Sequence, residues 1–219
     1  MSYDNEKLND IYSKYKNHKV GFYNTYELNK KNLQYNFNGG AEWMGASVDH
    51  SKQIMYVTSN NIPWETSVEQ IEDKSTKIPY YSSSFERALD DLDFPITKPP
   101  WGTITSVNLN TGKIIWQIPF GEYEYLAEKG VEATGTENFG GVTGTEGGIL
   151  IATGTLDKKL YVYNSLDGSE LYSYELPYIG SAPPTTYIAN GKQYIITHAT
   201  GGRTLMQGYP DLVETGNAI

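Results

Sequence analysis

One hairpin is written twice in this chain, and that repeat limits the possible folds more than any other feature. Ile104-Thr-Ser-Val-Asn-Leu-Asn110-Thr-Gly112-Lys-Ile-Ile-Trp116 is matched by Leu160-Tyr-Val-Tyr-Asn-Ser-Leu-Asp167-Gly168-Ser-Glu-Leu-Tyr172. In both copies residues of high strand propensity alternate up to a polar turn closed by Gly. A second alternating strand follows, with an aromatic four residues after that Gly. Gly112 and Gly168 lie 56 residues apart. Four-stranded propeller blades repeat about every 40 to 50 residues, so the spacing predicts stacked blades with an insertion of roughly a dozen residues.

The flanking segments repeat too. Gly39-Gly40-Ala-Glu42-Trp43 leads to Ile54-Met-Tyr-Val-Thr-Ser59, Gly140-Gly141-Val-Thr to Ile149-Leu-Ile-Ala-Thr-Gly154, and Gly180-Ser-Ala-Pro-Pro-Thr to Tyr194-Ile-Ile-Thr-His198. Each is a small-residue start, a strand, a turn and a short apolar strand. The glycines predict close backbone approach, and the apolar runs predict strands buried on both faces. Inner strands of a propeller meet both requirements.

Residues 1–38 stand apart as an N-terminal segment: Leu8, Ile11, Tyr12 and Tyr15 predict a short amphipathic helix, and 20–38 is irregular. Residues 39–219 carry the blade pattern. An insertion runs between Pro63-Trp64 and Pro99-Pro100-Trp101, where Ser82-Ser83-Ser84 before Phe85 to Leu92 predicts a second short helix. Asp90, Asp91 and Asp93 lack the Gly and terminal Glu of an EF-hand loop and read as a solvated acidic face. A second insertion, Glu122 to Glu137, suits a rim loop shaping a central site.

A net charge of -9 gives a negative field that argues against nucleic acid. No run approaches the ~20 apolar residues of a membrane span. With no Cys there are no disulfides, no Cys-ligated zinc, no iron–sulfur cluster and no covalently attached haem. Met1-Ser-Tyr-Asp-Asn-Glu-Lys has neither a basic start nor an apolar run, so no signal peptide is expected in this chain. The 19 tyrosines accompany abundant Asn and Lys and are a compositional bias before they are a binding patch.

Five segments in order, Gly39-Gly-Ala-Glu-Trp43-Met-Gly45, Tyr56-Val-Thr-Ser-Asn60-Asn61-Ile-Pro-Trp64, Pro99-Pro-Trp-Gly-Thr-Ile, Leu109-Asn-Thr-Gly-Lys-Ile-Ile-Trp116 and Asn190-Gly-Lys-Gln-Tyr194, resemble the C-terminal part of the PQQ-dependent quinoprotein dehydrogenases. The glucose and polyol branch is the nearest in pattern. The resemblance implies an all-β fold, three to four blades of an eight-bladed propeller of four-stranded antiparallel sheets. It further implies pyrroloquinoline quinone (PQQ) and calcium on the propeller axis, and a sugar or alcohol substrate oxidised by hydride transfer to the quinone. Electrons then pass to a quinone or cytochrome acceptor, and the location is periplasmic. The family's catalytic base, calcium ligands and stacking Trp lie upstream of the matched part, so no catalytic or metal residue is assigned here. Glu214 to Ile219 resembles the start of the family's last strand, cut short, and the resemblance thus implies a fragment that is inactive by itself.

On the same resemblance Glu42 and Trp43 are candidate PQQ contacts, with a structural Trp and a solvated Glu as the alternative. Asn60, ahead of Asn61, follows a strand where an amide can donate to a quinone carbonyl, although Asn also favours turns. Phe139 is a candidate cofactor neighbour or an ordinary inner-strand aromatic. Trp116 and Tyr172 belong to the docking of one blade on the next. Of His18, His50 and His198, only His198 follows an inner strand, and a loop histidine is the simpler reading. Gly-x-Ser-x-Gly, Walker and Gly-x-Gly-x-x-Gly motifs are missing. The competing function is a non-catalytic envelope scaffold built from similar repeats, which has no use for the Gly-Gly-Ala-Glu-Trp and Ser-Asn-Asn-Ile-Pro-Trp segments.

Overall fold

In the computed structural model the repeated hairpin forms twice, as Gly102–Asn108 with Lys113–Pro119 and Lys159–Asn164 with Glu170–Glu175. The structure describes residues 4, 6–22, 24–35, 40–70, 75, 80–201 and 215–219. In chain order the elements are α1 (Leu8–Tyr15), β1 (Lys19–Gly21), β2 (Lys31–Tyr35), β3 (Ala41–Asp49), β4 (Ile54–Asn60), β5 (Pro63–Gln70), β6 (Tyr80–Arg87), β7 (Gly102–Asn108) and β8 (Lys113–Pro119). Then come α2 (Glu124–Ala127), β9 (Asn138–Gly144), β10 (Ile149–Thr155), β11 (Lys159–Asn164), β12 (Glu170–Glu175), β13 (Thr185–Ala189) and β14 (Lys192–Ile196). Two compact units result, one from residues 1–38 and 61–98, the other from 39–60 and 99–219.

The first unit is a four-stranded sheet in the order β1-β2-β5-β6, parallel between β1 and β2 and antiparallel elsewhere. The predicted N-terminal helix is α1. Its Ile11 and Tyr15 pack on Leu33, Ala88 and Ile96, while Tyr12 turns to solvent. The helix predicted over 85–92 is not there. Residues up to Arg87 form β6 and pair with β5, Ser84 meeting Ser67 hydroxyl to hydroxyl at 3.1 Å. The Tyr- and Ser-rich run has strand propensity, and an available partner edge outweighs the weak helical spacing. Asp90 and Asp91 do separate work: both clasp Lys7, at 3.1 and 2.5 Å, and Asp90 also accepts the N–H groups of Leu92 and Phe94.

The second unit holds two complete antiparallel blades, β3-β4-β7-β8 and β9-β10-β11-β12, and the two-stranded sheet β13-β14. The hairpin copies agree in detail. Gly112 N–H donates to Asn108 O at 2.8 Å and Gly168 N–H to Asn164 O at 2.9 Å. Each second strand then bulges just before its aromatic, between the pairs Ser106↔Trp116 and Val107↔Ile114 and between Val162↔Tyr172 and Tyr163↔Glu170. Between the blades lies a core of Tyr56, Ile104 and Phe120 against Val142, Leu150, Ala152, Tyr161 and Tyr163. The opposite face of β10 puts Ile151 against Leu160, Leu176 and Ala199. So β10 is buried on both faces, as its apolar run predicts.

Trp116 docks the first blade on the second. Its indole N–H donates to Ser165 O at 3.2 Å, and its ring lies on Gly168, where a Cβ would come within 3.0 Å of Cε3. Gly168 takes φ +76°, so both the turn and the indole require glycine. The third apolar run departs from expectation. On β14 Tyr194 and Ile195 are exposed, as is Ile188 on β13 at 77%. Among the described residues this hairpin is a two-stranded sheet with no strand beyond β14, so its faces stay open. Ala218 makes an isolated antiparallel bridge to Ala199, while Glu214 lies outside the described residues.

Candidate functional site

The inner strands β3 and β9 are both irregular in their first half. Opposite β4, Ala41 pairs with Ser59 but Ala46 pairs with Val57, so Glu42 to Gly45 face Thr58 alone and loop out. Opposite β10, Asn138 pairs with Thr155 and Gly141 with Thr153, leaving Phe139 and Gly140 across from Gly154. Bulges bend a strand and redirect its side chains, and they concentrate beside functional sites. Here the two redirect the candidates differently. Trp43 is thrown outward and is 75% exposed, whereas Phe139 is turned inward and buried. The side chain of Glu42 and all of Gly39 lie outside the described residues.

These strand starts lie side by side. A Cβ on Gly141 would sit 3.0 Å from Cβ of Met44, the neighbour of Trp43, and 3.1 Å from Pro183. The segment 182–184 is tied to the same end: the Thr143 hydroxyl donates to Pro184 O at 2.6 Å and the Thr153 hydroxyl to Ala182 O at 3.2 Å. The predicted close approach by Gly140 is made to protein, since a Cβ there would lie 2.2 Å from Thr153 O.

Asn60, the last residue of β4, is buried and locked into a clamp with Asn138, the first residue of β9. Its Oδ1 accepts the backbone N–H of Asn138 at 2.9 Å and the Asn138 Nδ2 at 2.8 Å, and its Nδ2 donates to Asn138 O at 2.8 Å. The Asn60 backbone N–H donates to Gly40 O at 2.8 Å. The following residue, Asn61, is exposed outside the strand. The structure thus joins Asn60 to the strand start that carries Phe139, and leaves Trp43 and Asn61 facing solvent.

Sequence reasoning missed two residues here, Asn138 and the fully buried Glu137. Their one signal is a polar pair standing directly before a Phe-Gly-Gly strand, where an apolar or turn residue would be ordinary. Asn138 keeps one flaw, a buried Oδ1 with no hydrogen-bond partner. An orphaned buried acceptor is costly and marks a strained or functional position.

The buried phenols of β11, Tyr161 and Tyr163, are not acid–base groups. Burial first, and then the Asp157 carboxylate that accepts the Tyr161 hydroxyl, pushes the Tyr161 phenol far above its usual range. Burial followed by Glu170 does the same for Tyr163. Both therefore stay protonated, and Tyr161 donates to Asp157. Asp157 is consumed structurally, also accepting Glu122 N–H at 2.9 Å and the Thr155 hydroxyl at 2.5 Å.

His198 is exposed, and His50 lies in the exposed β3–β4 turn. His18, in the first unit, bonds Glu65 at 2.7 Å. A crevice of about 260 Å³ sits between the β3–β4 and β9–β10 turns, lined by Val48, His50, Tyr56, Thr145 and Glu146. It occupies the opposite end of these strands from Asn60 and holds none of the candidates. Among the described residues no group of three or more His, Cys, Asp or Glu is arranged to hold a metal, and no helix is long and apolar enough to cross a membrane.

Comparison with known proteins agrees with this architecture. Residues 1–195 match the family model described as PQQ glucose/ethanol/alcohol dehydrogenase, beta-propeller domain. A probable quinate dehydrogenase (quinone) of Xanthomonas campestris pv. juglandis is 28% identical over 75% of this chain and 24% of its own length. Quinoprotein glucose dehydrogenase A of Acinetobacter calcoaceticus is 27% identical over 74% of this chain and 23% of its own. Among solved structures a europium-containing methanol dehydrogenase superposes with a TM-score of 0.59 at 17% identity, over 80% of this chain and 28% of that one, which speaks to fold alone. The chain spans about a quarter of the length of these relatives. With the family model matched along most of its length, this chain belongs to the PQQ-dependent glucose/ethanol/alcohol dehydrogenase family, in the β-propeller domain.

Proposed function

We propose that the chain forms the C-terminal part of the propeller of a PQQ-dependent sugar or alcohol dehydrogenase, with the first half of β3, the end of β4 and the start of β9 turned to the cofactor. The observation that carries this is the convergence of two bulged inner strands on the Asn60–Asn138 clamp, at the end where the sequence candidates lie. PQQ, when bound, supplies the two-electron acceptor for oxidation of the substrate carbon.

The residues present fit such a group. Trp43 offers an exposed indole face for packing against a planar ring system, and the orphaned Oδ1 of Asn138 shows hydrogen-bonding capacity left over at the same end. In this reading Trp43 packs on the cofactor, Asn60 supplies an amide donor to it, Phe139 backs the site from within, and Glu42 and Asn61 border it. The clamp and the buried strand starts exclude water from one wall. The described residues do not fit calcium, and no step through it is assigned to them.

The reading carries with it a sugar or alcohol substrate, transfer of electrons to a quinone or cytochrome, and a periplasm-facing location. The sequence relatives named above, a quinate and a glucose dehydrogenase, support that substrate range. The test is a PQQ titration of the chain followed by tryptophan emission. Trp43→Ala is expected to weaken binding by about tenfold, the equivalent of ~1.4 kcal/mol of lost packing. Saturable binding that Trp43→Ala and Asn60→Ala both leave unchanged places the cofactor elsewhere and refutes the assignment.

A further inference from the structure

We propose that the groove between the outer strands of the two blades binds a small organic polycation, a linear polyamine, held between three carboxylates and the hydroxyl of Tyr163. The groove encloses about 490 Å³ and is walled by Ile118 at the end of β8, the loop that follows, Tyr161 and Tyr163 on β11, and the turn into β12. It lies wholly within the second unit and holds none of the cofactor candidates. Its lining includes Glu122, Glu132 and Glu170 and no Lys, Arg or His.

Carboxylates alone would be an ordinary solvated face on a chain of net charge -9. Two features set this groove apart. First, its acids have no cation of their own. In the first unit Glu65 is met by Lys31 and His18, and Asp90 and Asp91 by Lys7. Among the described residues Glu132 and Glu170 have neither an ion pair nor a side-chain hydrogen bond, and the Glu122 carboxylate accepts just the Ala133 N–H, at 3.1 Å. Second, Tyr163 is only 4% exposed, yet its hydroxyl has no hydrogen-bond partner. Its ring stacks on that of Tyr161 at 5.6 Å and 12°, but the Tyr161 hydroxyl is taken by Asp157, while Tyr163 pairs across the strands with Glu170. A phenylalanine would fill the same space without the cost of an unmatched buried hydroxyl.

The chemistry of the ligand follows from these groups. The Tyr163 phenol stays protonated, so its oxygen can accept an N–H while its own proton is free for a carboxylate. Among the described residues no three acids converge as they would on a metal ion, so the negative charge is spread along the groove. A chain with separated ammonium groups matches that spread, three positive charges against three carboxylates, and its methylenes pack on Ile118 and the phenol rings.

Isothermal titration calorimetry of the whole chain with spermidine, at about 0.15 M salt to screen loose counterion association, tests the proposal. Saturable binding is expected. Tyr163→Phe keeps the ring and its stack, and should raise the dissociation constant by about tenfold while leaving the thermal midpoint no lower than wild type. Glu132→Gln and Glu170→Gln should each raise it about threefold. Glu146→Gln removes the same charge from the exposed β9–β10 turn and should leave it within about twofold of wild type. No saturable binding, an affinity untouched by Tyr163→Phe, or equal losses from Glu146→Gln and Glu132→Gln would each overturn the proposal. So would an oligolysine peptide that binds where spermidine does not, since it would mark the groove as a protein-docking surface.

Discussion

Gly112 and Gly168 close the two copies of one turn, at φ +67° and +76°, and only their surroundings differ. An alanine Cβ at Gly112 would meet nothing within 4 Å. At Gly168 it would meet Ile118 Cγ2 at 3.0 Å, Trp116 Cε3 at 3.0 Å and Trp116 Cδ2 at 3.2 Å. Alanine at either position takes on the left-handed strain of an L-residue, about 1–2 kcal/mol. At Gly168 it must also lift the indole, which loses the hydrogen bond to Ser165 O, about 1 kcal/mol net, and a further ~1–2 kcal/mol of packing. Gly168→Ala should therefore destabilise the blade unit by about 2–3 kcal/mol more than Gly112→Ala. In a chain of this size that is roughly 4–12 °C in melting temperature. Thermal unfolding by circular dichroism reads the difference directly. The decisive comparison is in a Trp116→Ala background, where the excess cost of Gly168→Ala should fall by about 2 kcal/mol, to the small remainder left by the Ile118 methyl. A difference of undiminished size without the indole would refute the claim that Trp116 docks one blade on the next.

Three further outcomes follow from the structure. Burial pushes the Glu65 carboxyl up, but hydrogen bonds from Lys31 and His18, with their charges, outweigh it and hold it below the usual glutamate range. A depressed folded-state value gives stability that is present above the unfolded value near 4.5 and is lost as pH falls through the folded one. The first unit should accordingly melt earlier from about pH 5 downward, and Glu65→Gln should flatten that slope; an unchanged slope contradicts the ion-pair account. The chain alone should show no dye reduction with PQQ, calcium and glucose or a panel of alcohols, and calcium-dependent turnover would overturn the placement of base and metal ligands outside it. Leu171, Tyr172 and Tyr174 on β12 and Tyr187 and Ile188 on β13 are exposed, so the chain should self-associate with rising concentration in size-exclusion chromatography with light scattering. A monodisperse monomer at every concentration would show these faces to be self-sufficient.

The blades were legible in the sequence because turn chemistry and alternation are local. Asn108 and Asn164 with their following glycines set both hairpins, and the Trp116 partner lay one repeat ahead. The strand β6 was not legible, since the spacing from Phe85 to Leu92 imitates a helix and its pairing with β5 is a tertiary fact. The site was half legible. Asn60 stood out as an amide after a strand, but its partner is 78 residues away, and no local pattern announces a clamp across two blades. The opposite fates of Trp43 and Phe139 depend on bulges of different length in β3 and β9, which only the register against β4 and β10 reveals.

The central claim concerns which end of the inner strands faces the cofactor, and backbone amide NMR during a PQQ titration tests it most directly. The account predicts shift changes gathered on Trp43, Asn60, Asn138 and Gly141, with the crevice residues Val48, His50, Thr145 and Glu146 at the far end of the same strands unmoved. Changes centred on those crevice residues, with Trp43 and Asn60 silent, would contradict it.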